Sequence, residues 1–372
     1  MIYVLLTWLL APIWVPISLL RGYLCPQPQR ILIGEIAGIG DVVCSTAVFL
    51  AVRARYPEAY VALMVDSIAT DLGPVLPAID EVITFRAANQ RGIRGRLALV
   101  RQLLGFDTFI CLIPSAAQLT AACWATLPRR YTVLPDVPVT SYGWIKSLMT
   151  HSCAHRTETN FVATQLRLLE PLGIIGDFGL RKLHITEAAR QMAVAIIPDA
   201  SLRWIGIAVG SGQGIKALDP FMLQRLIQKL LENPGVGVVL LGGVKESDLA
   251  ESLRASTPNR IRCVDTTGKV SLDLLPGVLS RLAVFVGVDS GVTYMADSLG
   301  VPLVYIPGPA SPEDQGPIRA KRVDLTVPLD CAPCSRVFVT PKICRTGTSL
   351  CTRSFTELDI SAAVFKLLEE NA

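Results

Sequence analysis

The sequence predicts an α/β protein of two doubly wound halves, preceded by an apolar N-terminal helix. Three observations point there. The 372-residue chain is 51% apolar and only 18% charged, which excludes a disordered chain and suits a protein with sizeable cores. Strand-length apolar runs alternate with helix-length amphipathic stretches, and the alternation starts afresh in the second half. That is the pattern of parallel sheets covered by helices. Residues 2–20 hold no charge at all. The net charge of +4 is too slight for a protein that coats nucleic acid.

The apolar start comes first. As one helix, residues 2–20 would rise about 28 Å, close to a ~30 Å hydrocarbon core, so segment 1–22 is expected to associate with a membrane. No Lys or Arg precedes the run and no small-residue cleavage site follows it, which argues against a secretory signal. Arg21 and Arg30 follow directly, and by the positive-inside rule they place the body in the cytoplasm, at the bacterial inner membrane. Pro12 and Pro16 interrupt helical hydrogen bonding. A straight span, a broken re-entrant anchor and a buried helix of the body all remain open.

Each element then follows from its pattern. Strands are expected at 31–36, 60–65, 81–85 and 108–113, with helices at 42–55, 93–104 and 117–126 between them. These form a Rossmann-like domain over 30–185. A mixed, turn-rich stretch at 173–202 breaks the pattern. Strands at 204–209, 236–241, 261–264, 284–288 and 303–306, with helices starting near Pro220, Glu246, Leu272 and Val292, form a second such domain over 200–352. Residues 355–372 close the chain as an amphipathic helix. Two such domains facing each other leave a cleft at the carboxyl ends of their strands, where open parallel sheets bind ligands.

Four glycine-bearing loops follow strands. In Gly38-Ile-Gly40-Asp41, glycines allow close backbone approach and Asp41 opens a helix, either as its cap or as a general base toward a hydroxyl. The third glycine of a dinucleotide fingerprint is missing, because Val43 stands there. Gly210-Ser211-Gly212, with Lys216 beyond, combines amides, a hydroxyl and an ammonium, a set that suits a diphosphate. In the loop Gly242-Gly243-Val-Lys-Glu246, Glu246 is either a ribose ligand or a first-turn glutamate. Asp289-Ser290-Gly291-Val292-Thr293 ends an apolar strand and opens a helix whose first amides could hold phosphate or sugar hydroxyls.

Two further clusters stand out. Arg86, Arg91, Arg94, Arg96 and Arg101 occur without an acidic residue between them; they fit a phosphorylated lipid acceptor, an anionic membrane or a solvated helix face. Cys331, Cys334, Cys344 and Cys351 have intervals of two, nine and six residues. That spacing is compatible with a structural zinc, with reduced thiols or with disulfides.

The blocks Gly38-Ile-Gly-Asp41-Val-Val, Leu240-Leu-Gly-Gly243 with Glu246, Gly268-Lys-Val-Ser271-Leu and Val288-Asp-Ser-Gly291 resemble, in order and spacing, the ADP-heptose:lipopolysaccharide heptosyltransferases, glycosyltransferase family nine. The resemblance runs from about Arg30 to the C-terminus and implies the GT-B fold. It implies inverting, metal-independent transfer of a sugar from a nucleotide-diphosphate donor, ADP-heptose above all, to a lipid-linked lipopolysaccharide-type glycan. Under it Asp41 resembles the catalytic base and Lys216 the cation that steadies the leaving diphosphate. Ser211 resembles a phosphate contact, Glu246 the ribose ligand and Asp289 to Thr293 the loop around the donor, with Gly38, Gly40, Gly212 and Ser271 completing the donor set. Arg86, Arg91, Arg94 and Arg96 are the acceptor candidates. Tyr294 stands where many members carry histidine, and Lys216-Ala-Leu-Asp-Pro220 is one residue longer than the usual Lys-x-Trp-Pro. A nucleotide-sugar epimerase of the same shape and a non-catalytic sugar-nucleotide scaffold are the rival readings.

Overall fold

A computed structural model describes residues 2–86, 92–135, 140–157, 159–197 and 199–371. The chain divides into two compact units, residues 1–180 and 181–372.

In the first unit the apolar start forms two helices rather than one, α1 (Ile2–Leu9) and α2 (Ala11–Leu24), bent by 68°. Pro12 causes the break, because a proline in a helix's first turn lacks the N–H that would continue the preceding helix. The alternating pattern follows: β1 (Arg30–Glu35), α3 (Ile39–Cys44), α4 (Thr46–Arg55), β2 (Tyr60–Asp66), β3 (Glu81–Phe85), α5 (Gly92–Leu103), β4 (Thr108–Cys111), α6 (Ala116–Trp124), β5 (Arg129–Leu134), α7 (Thr140–Lys146), β6 (His151–Ala154) and α8 (Phe161–Leu168). The strands form one six-stranded parallel sheet in the order β3-β2-β1-β4-β5-β6. Leu32 on the central strand pairs with Ala62 on one side and Phe109 on the other. All three are fully buried, together with Leu99, Leu103 and Leu119 from the covering helices.

The second unit runs α9 (Glu187–Ile196), β7 (Arg203–Ala208), α10 (Pro220–Leu231), β8 (Val236–Leu241), α11 (Ser247–Ala255), β9 (Cys263–Asp265), α12 (Leu275–Leu279), β10 (Val284–Val288), α13 (Gly291–Ser298), β11 (Leu303–Ile306), α14 (Pro312–Gln315), β12 (Arg322–Asp324), α15 (Leu350–Arg353) and α16 (Glu357–Glu370). Its parallel sheet has the order β12-β11-β10-β7-β8-β9. Counted from its own first strand, that order repeats the first sheet's. The stretch expected to be irregular contains α9, which Gly277 seats against α12; a Cβ at that position would lie 2.0 Å from the Ala189 carbonyl oxygen. α10 starts where Asp219 accepts the Phe221 and Met222 amides through its carboxylate, with Pro220 in the first turn. The helix buries Leu223, Leu226, Ile227 and Leu230 against the sheet and against Ile360, Val364 and Leu367 of α16.

In each sheet the chain order reverses at the centre, between β1 and β4 and between β7 and β10. Ligands of open parallel sheets bind at that reversal, outside the carboxyl ends of the strands.

Candidate functional site

In the first unit, β1 delivers Glu35 and then the turn that opens α3. Asp41 accepts a hydrogen bond on Oδ2 from the Gly38 N–H at 2.9 Å. The carboxylate therefore caps its own helix start, where the macrodipole favours a negative charge. Gly38 and Gly40, grouped in sequence with the donor set, belong to this unit, whereas the remaining members of the set belong to the second.

Behind Asp41 lies a feature the motifs did not reveal. Glu35 is fully buried; its Oε2 lies 3.1 Å from the Ser45 hydroxyl and accepts from Gln165 Nε2 at 3.3 Å. Burial, and secondarily the charge of Asp41, push the Glu35 carboxyl well above the usual carboxylate range.

In the second unit, the loops after β7 and β10 meet at the sheet's reversal point. Lys216 Nζ donates to Asp289 Oδ2 at 2.6 Å, with both side chains mostly buried. The Tyr294 hydroxyl lies against the other Asp289 oxygen and against the Gln315 carbonyl. The Tyr294 ring in turn faces the Arg181 guanidinium, 5.8 Å from the ring centroid. Arg181 is fully buried, paired with Asp297 at 3.4 Å and bonded to the Gly316 carbonyl at 2.9 Å. Asp297 also accepts the backbone amides of Ile318, Arg319 and Ala320. Tyr305, buried on β11, keeps its phenol protonated through burial and through the nearby Asp289 charge. The Asp-Ser-Gly pattern exposed Asp289 to view. Tyr294 stood out only as the residue in place of the family's histidine, and Arg181 and Tyr305 carried no local signal.

The other residues selected from this unit's sequence sit on the loops after β7, β8, β9 and β10. Ser290 Oγ and Thr293 Oγ1 lie 3.1 Å apart, and Thr293 donates to the Val288 carbonyl at 2.6 Å, so both hydroxyls brace the start of α13. Gly291 and Val292 are half-buried at that helix end, where first-turn amides lack intrahelical partners. Glu246 accepts the Gly243 N–H at 2.8 Å and lies against Gly210, whose Cβ, were there one, would be 2.5 Å from Glu246 Cγ. The loops after β7 and β8 are thereby joined. Ser211 accepts the Gln213 N–H at 3.4 Å, and Gly212 is exposed. Gly268, at φ +67°, lies against Val244 behind the Glu246 turn, but the Ser271 hydroxyl turns to Asp273 at 2.5 Å.

The structure narrows two of the readings left open. Arg96 belongs to no solvated patch: its guanidinium covers the Tyr3 ring at 4.8 Å and donates to Thr120 at 3.2 Å, and burial lowers its pKa. Arg86, Arg94 and Arg101 are exposed, and Arg91 lies outside the described residues. The cysteines Cys331, Cys334, Cys344 and Cys351 do line one small cavity, with Ile215 from the Lys216 loop. Among the described residues, however, no three His, Cys, Asp or Glu side chains are arranged to hold a metal ion. The Cys344 sulfur instead lies 3.3 Å from the Thr346 hydroxyl and accepts the Ser349 N–H at 3.4 Å, bonds that pull its thiol down to about 6.

Residues 138–340, more than half of the chain, match the model of glycosyltransferase family 9 (heptosyltransferase). The chain belongs to glycosyltransferase family 9. It is therefore a glycosyltransferase, and neither the epimerase nor the scaffold reading is favoured. Among its relatives, lipopolysaccharide heptosyltransferase 2 of Escherichia coli strain K12 is 24% identical over 79% of this chain and 86% of its own length. The crystal structure of a family 9 glycosyltransferase from Veillonella parvula superimposes with a TM-score of 0.76 at 21% identity, covering 92% of this chain and 98% of that one. The E. coli ADP-heptose lps heptosyltransferase II structure gives 0.71 at 19% identity, covering 92% and 100%. Both share the fold of two parallel α/β sheets.

Proposed function

We propose that this family 9 enzyme transfers heptose, with inversion and without a metal, from ADP-heptose to a lipid-linked lipopolysaccharide-type acceptor at the cytoplasmic face of a bacterial inner membrane. The carrying observation is the Lys216–Asp289 pair at the reversal point of the second sheet, beside the amide end of α13. An ammonium and helix-start amides supply the positive charge that a departing diphosphate requires. The adjoining Glu246 turn offers a carboxylate to a ribose diol. The names of the relatives supply the donor and acceptor classes.

Acceptor chemistry is assigned to the first unit. Asp41 takes the proton of the acceptor hydroxyl as its oxygen bonds to the anomeric carbon; the bond from that carbon to the diphosphate breaks, and ADP leaves with the electron pair. One displacement of this kind inverts the anomeric centre. The Gly38 bond uses one of the carboxylate's about four lone-pair sites and aims it. Asp289 and Tyr294 aim Lys216. The exposed Arg86 and Arg94 are offered to acceptor phosphates.

The test is Asp41→Asn with ADP-heptose and a deacylated lipopolysaccharide core as acceptor. General-base catalysis is worth about 10²–10⁴-fold, so kcat should fall by at least about 100-fold while ADP still binds with wild-type affinity. Retention of near-normal turnover would remove Asp41 as the base.

A further inference from the structure

The N-terminal pair α1–α2 is two-sided. Its inner face is fastened to the first unit: Val4, Thr7, Trp14 and Ser18 are buried. Trp124 donates to the Thr7 hydroxyl at 2.8 Å, and Ser18 donates to the Leu127 carbonyl at 3.0 Å. Arg21 reaches the carbonyls of Ala125 and Phe106 at 2.8 and 2.9 Å, and Arg130 stacks its guanidinium over Trp14 at 5.0 Å. The outer face is almost wholly apolar. Leu9 is 76% exposed, Ile13 63% and Leu20 59%, with Ile2, Leu5 and Leu24 beside them. Scattered single apolar side chains need no explanation; a continuous face of them does.

Charge identifies what covers it. The sequence has no Asp or Glu before Glu35. α5, which touches α1 through Arg96 and Tyr3, presents exposed Ile93 and Leu97 together with Arg94 and Arg101. α7, joined to α1 by the bond from Trp8 to the Trp144 carbonyl, adds exposed Trp144 and Lys146. Helices α1, α2, α5, α6 and α7 together carry basic residues and no acidic ones. Apolar anchors, indole rings and cations without anions form a surface complementary to an anionic bilayer.

We infer that α1–α2 is an in-plane membrane seat: it lies flat in the headgroup region of an anionic phospholipid bilayer and docks the first unit there, without crossing the hydrocarbon core. Spanning would strip Thr7, Trp14, Ser18 and Arg21 of the partners just described. The two arms, roughly 12 and 21 Å long, are each shorter than the core. The inference rests on the reading of the enzyme as one of the membrane face, and it specifies how that face is met.

Flotation of the purified full chain with vesicles tests it. Expected are co-flotation with phosphatidylglycerol-containing vesicles, at least about tenfold weaker binding to pure phosphatidylcholine, and release of bound protein by alkaline carbonate. The double variant Leu9→Glu, Ile13→Glu alters exposed positions only. It should lose vesicle binding at least about tenfold while keeping the wild-type thermal shift with ADP, which reports an intact fold. Wild-type protein left in the aqueous phase, resistance to carbonate, or unimpaired binding by the folded variant would each overturn the seat. So would a lipid-free dimer that the double variant abolishes, because it would assign the face to a second copy of the chain. Loss of heptose transfer with vesicle binding intact would instead count against the proposed reaction alone.

Discussion

Glu35 is a fully buried carboxyl beside the proposed base. Burial first and the Asp41 charge second favour its protonated form. The folded pKa is raised, so between the unfolded value near 4.5 and the folded one the native state binds the extra proton. The stability Glu35 confers is thus full below about pH 4.5 and declines as pH rises toward its folded pKa. Glu35→Gln preserves shape and hydrogen bonding without that decline. Its melting temperature, relative to wild type, should improve as pH rises from 5 toward the folded pKa of Glu35 in calorimetry; an offset independent of pH would refute the assignment. Tyr294 is a second buried group that touches a proposed functional residue. Its hydroxyl ties Asp289 to the Gln315 carbonyl, and a hydrogen bond to a charged group is worth about 1.5–3 kcal/mol. Tyr294→Phe should therefore raise the donor KM about tenfold or more and also lower the melting temperature, since Asp289 and the Gln315 carbonyl lose the same hydroxyl. An unchanged KM would show that Asp289 aims Lys216 unaided. The glycine-bearing strand ends holding Asp41, Lys216, Glu246 and Asp289 were legible because each motif is local. Glu35 with Gln165, and Tyr294 with Arg181, meet only through the fold.

Among the elements, the start of α13 depends on what lies beneath it. Asp297, near the end of that helix, is fully buried and binds Arg181 together with three consecutive amides at 318–320. Breaking a buried pair by removing one partner costs about 3–5 kcal/mol, because the remaining charge stays buried. Asp297→Ala should lower the unfolding free energy in urea by that amount, and a loss below 1 kcal/mol would show that the arginine is solvated after all. The central strands were legible as continuous apolar runs, and β3 is observed at 81–85, as its pattern predicts. β5 was not, because it opens with Arg129-Arg130. Arg130 is held in the interior by stacking on Trp14, by bonding Ser18 of α2 and by the Leu127 and Leu148 carbonyls, partnerships with no periodicity to betray them. β6 and β12 are edge strands of four and three residues, too short to display alternation. The helix expected over 42–55 is divided at Ser45, whose side chain serves Glu35.

Across the whole molecule, one topology occurs twice and its two copies have diverged in charge. At the reversal point of the first sheet stands a carboxylate on a helix start, suited to accepting a proton. At that of the second stand a lysine and the amide end of α13, suited to a diphosphate. The division predicts where a nucleotide leaves its mark. At 100 times its Kd, ADP should stabilise the protein by about 2.7 kcal/mol, whereas GDP, UDP and dTDP at equal concentration should do far less. Hydrogen exchange should slow in the loops at 209–216, 242–246 and 289–293 and remain unchanged at 36–41. Equal indifference to all four nucleotides would remove the donor assignment. Protection by ADP confined to 36–41 would reverse it, placing the diphosphate on the glycine turn of the first sheet and leaving Lys216 and Asp289 as a structural ion pair.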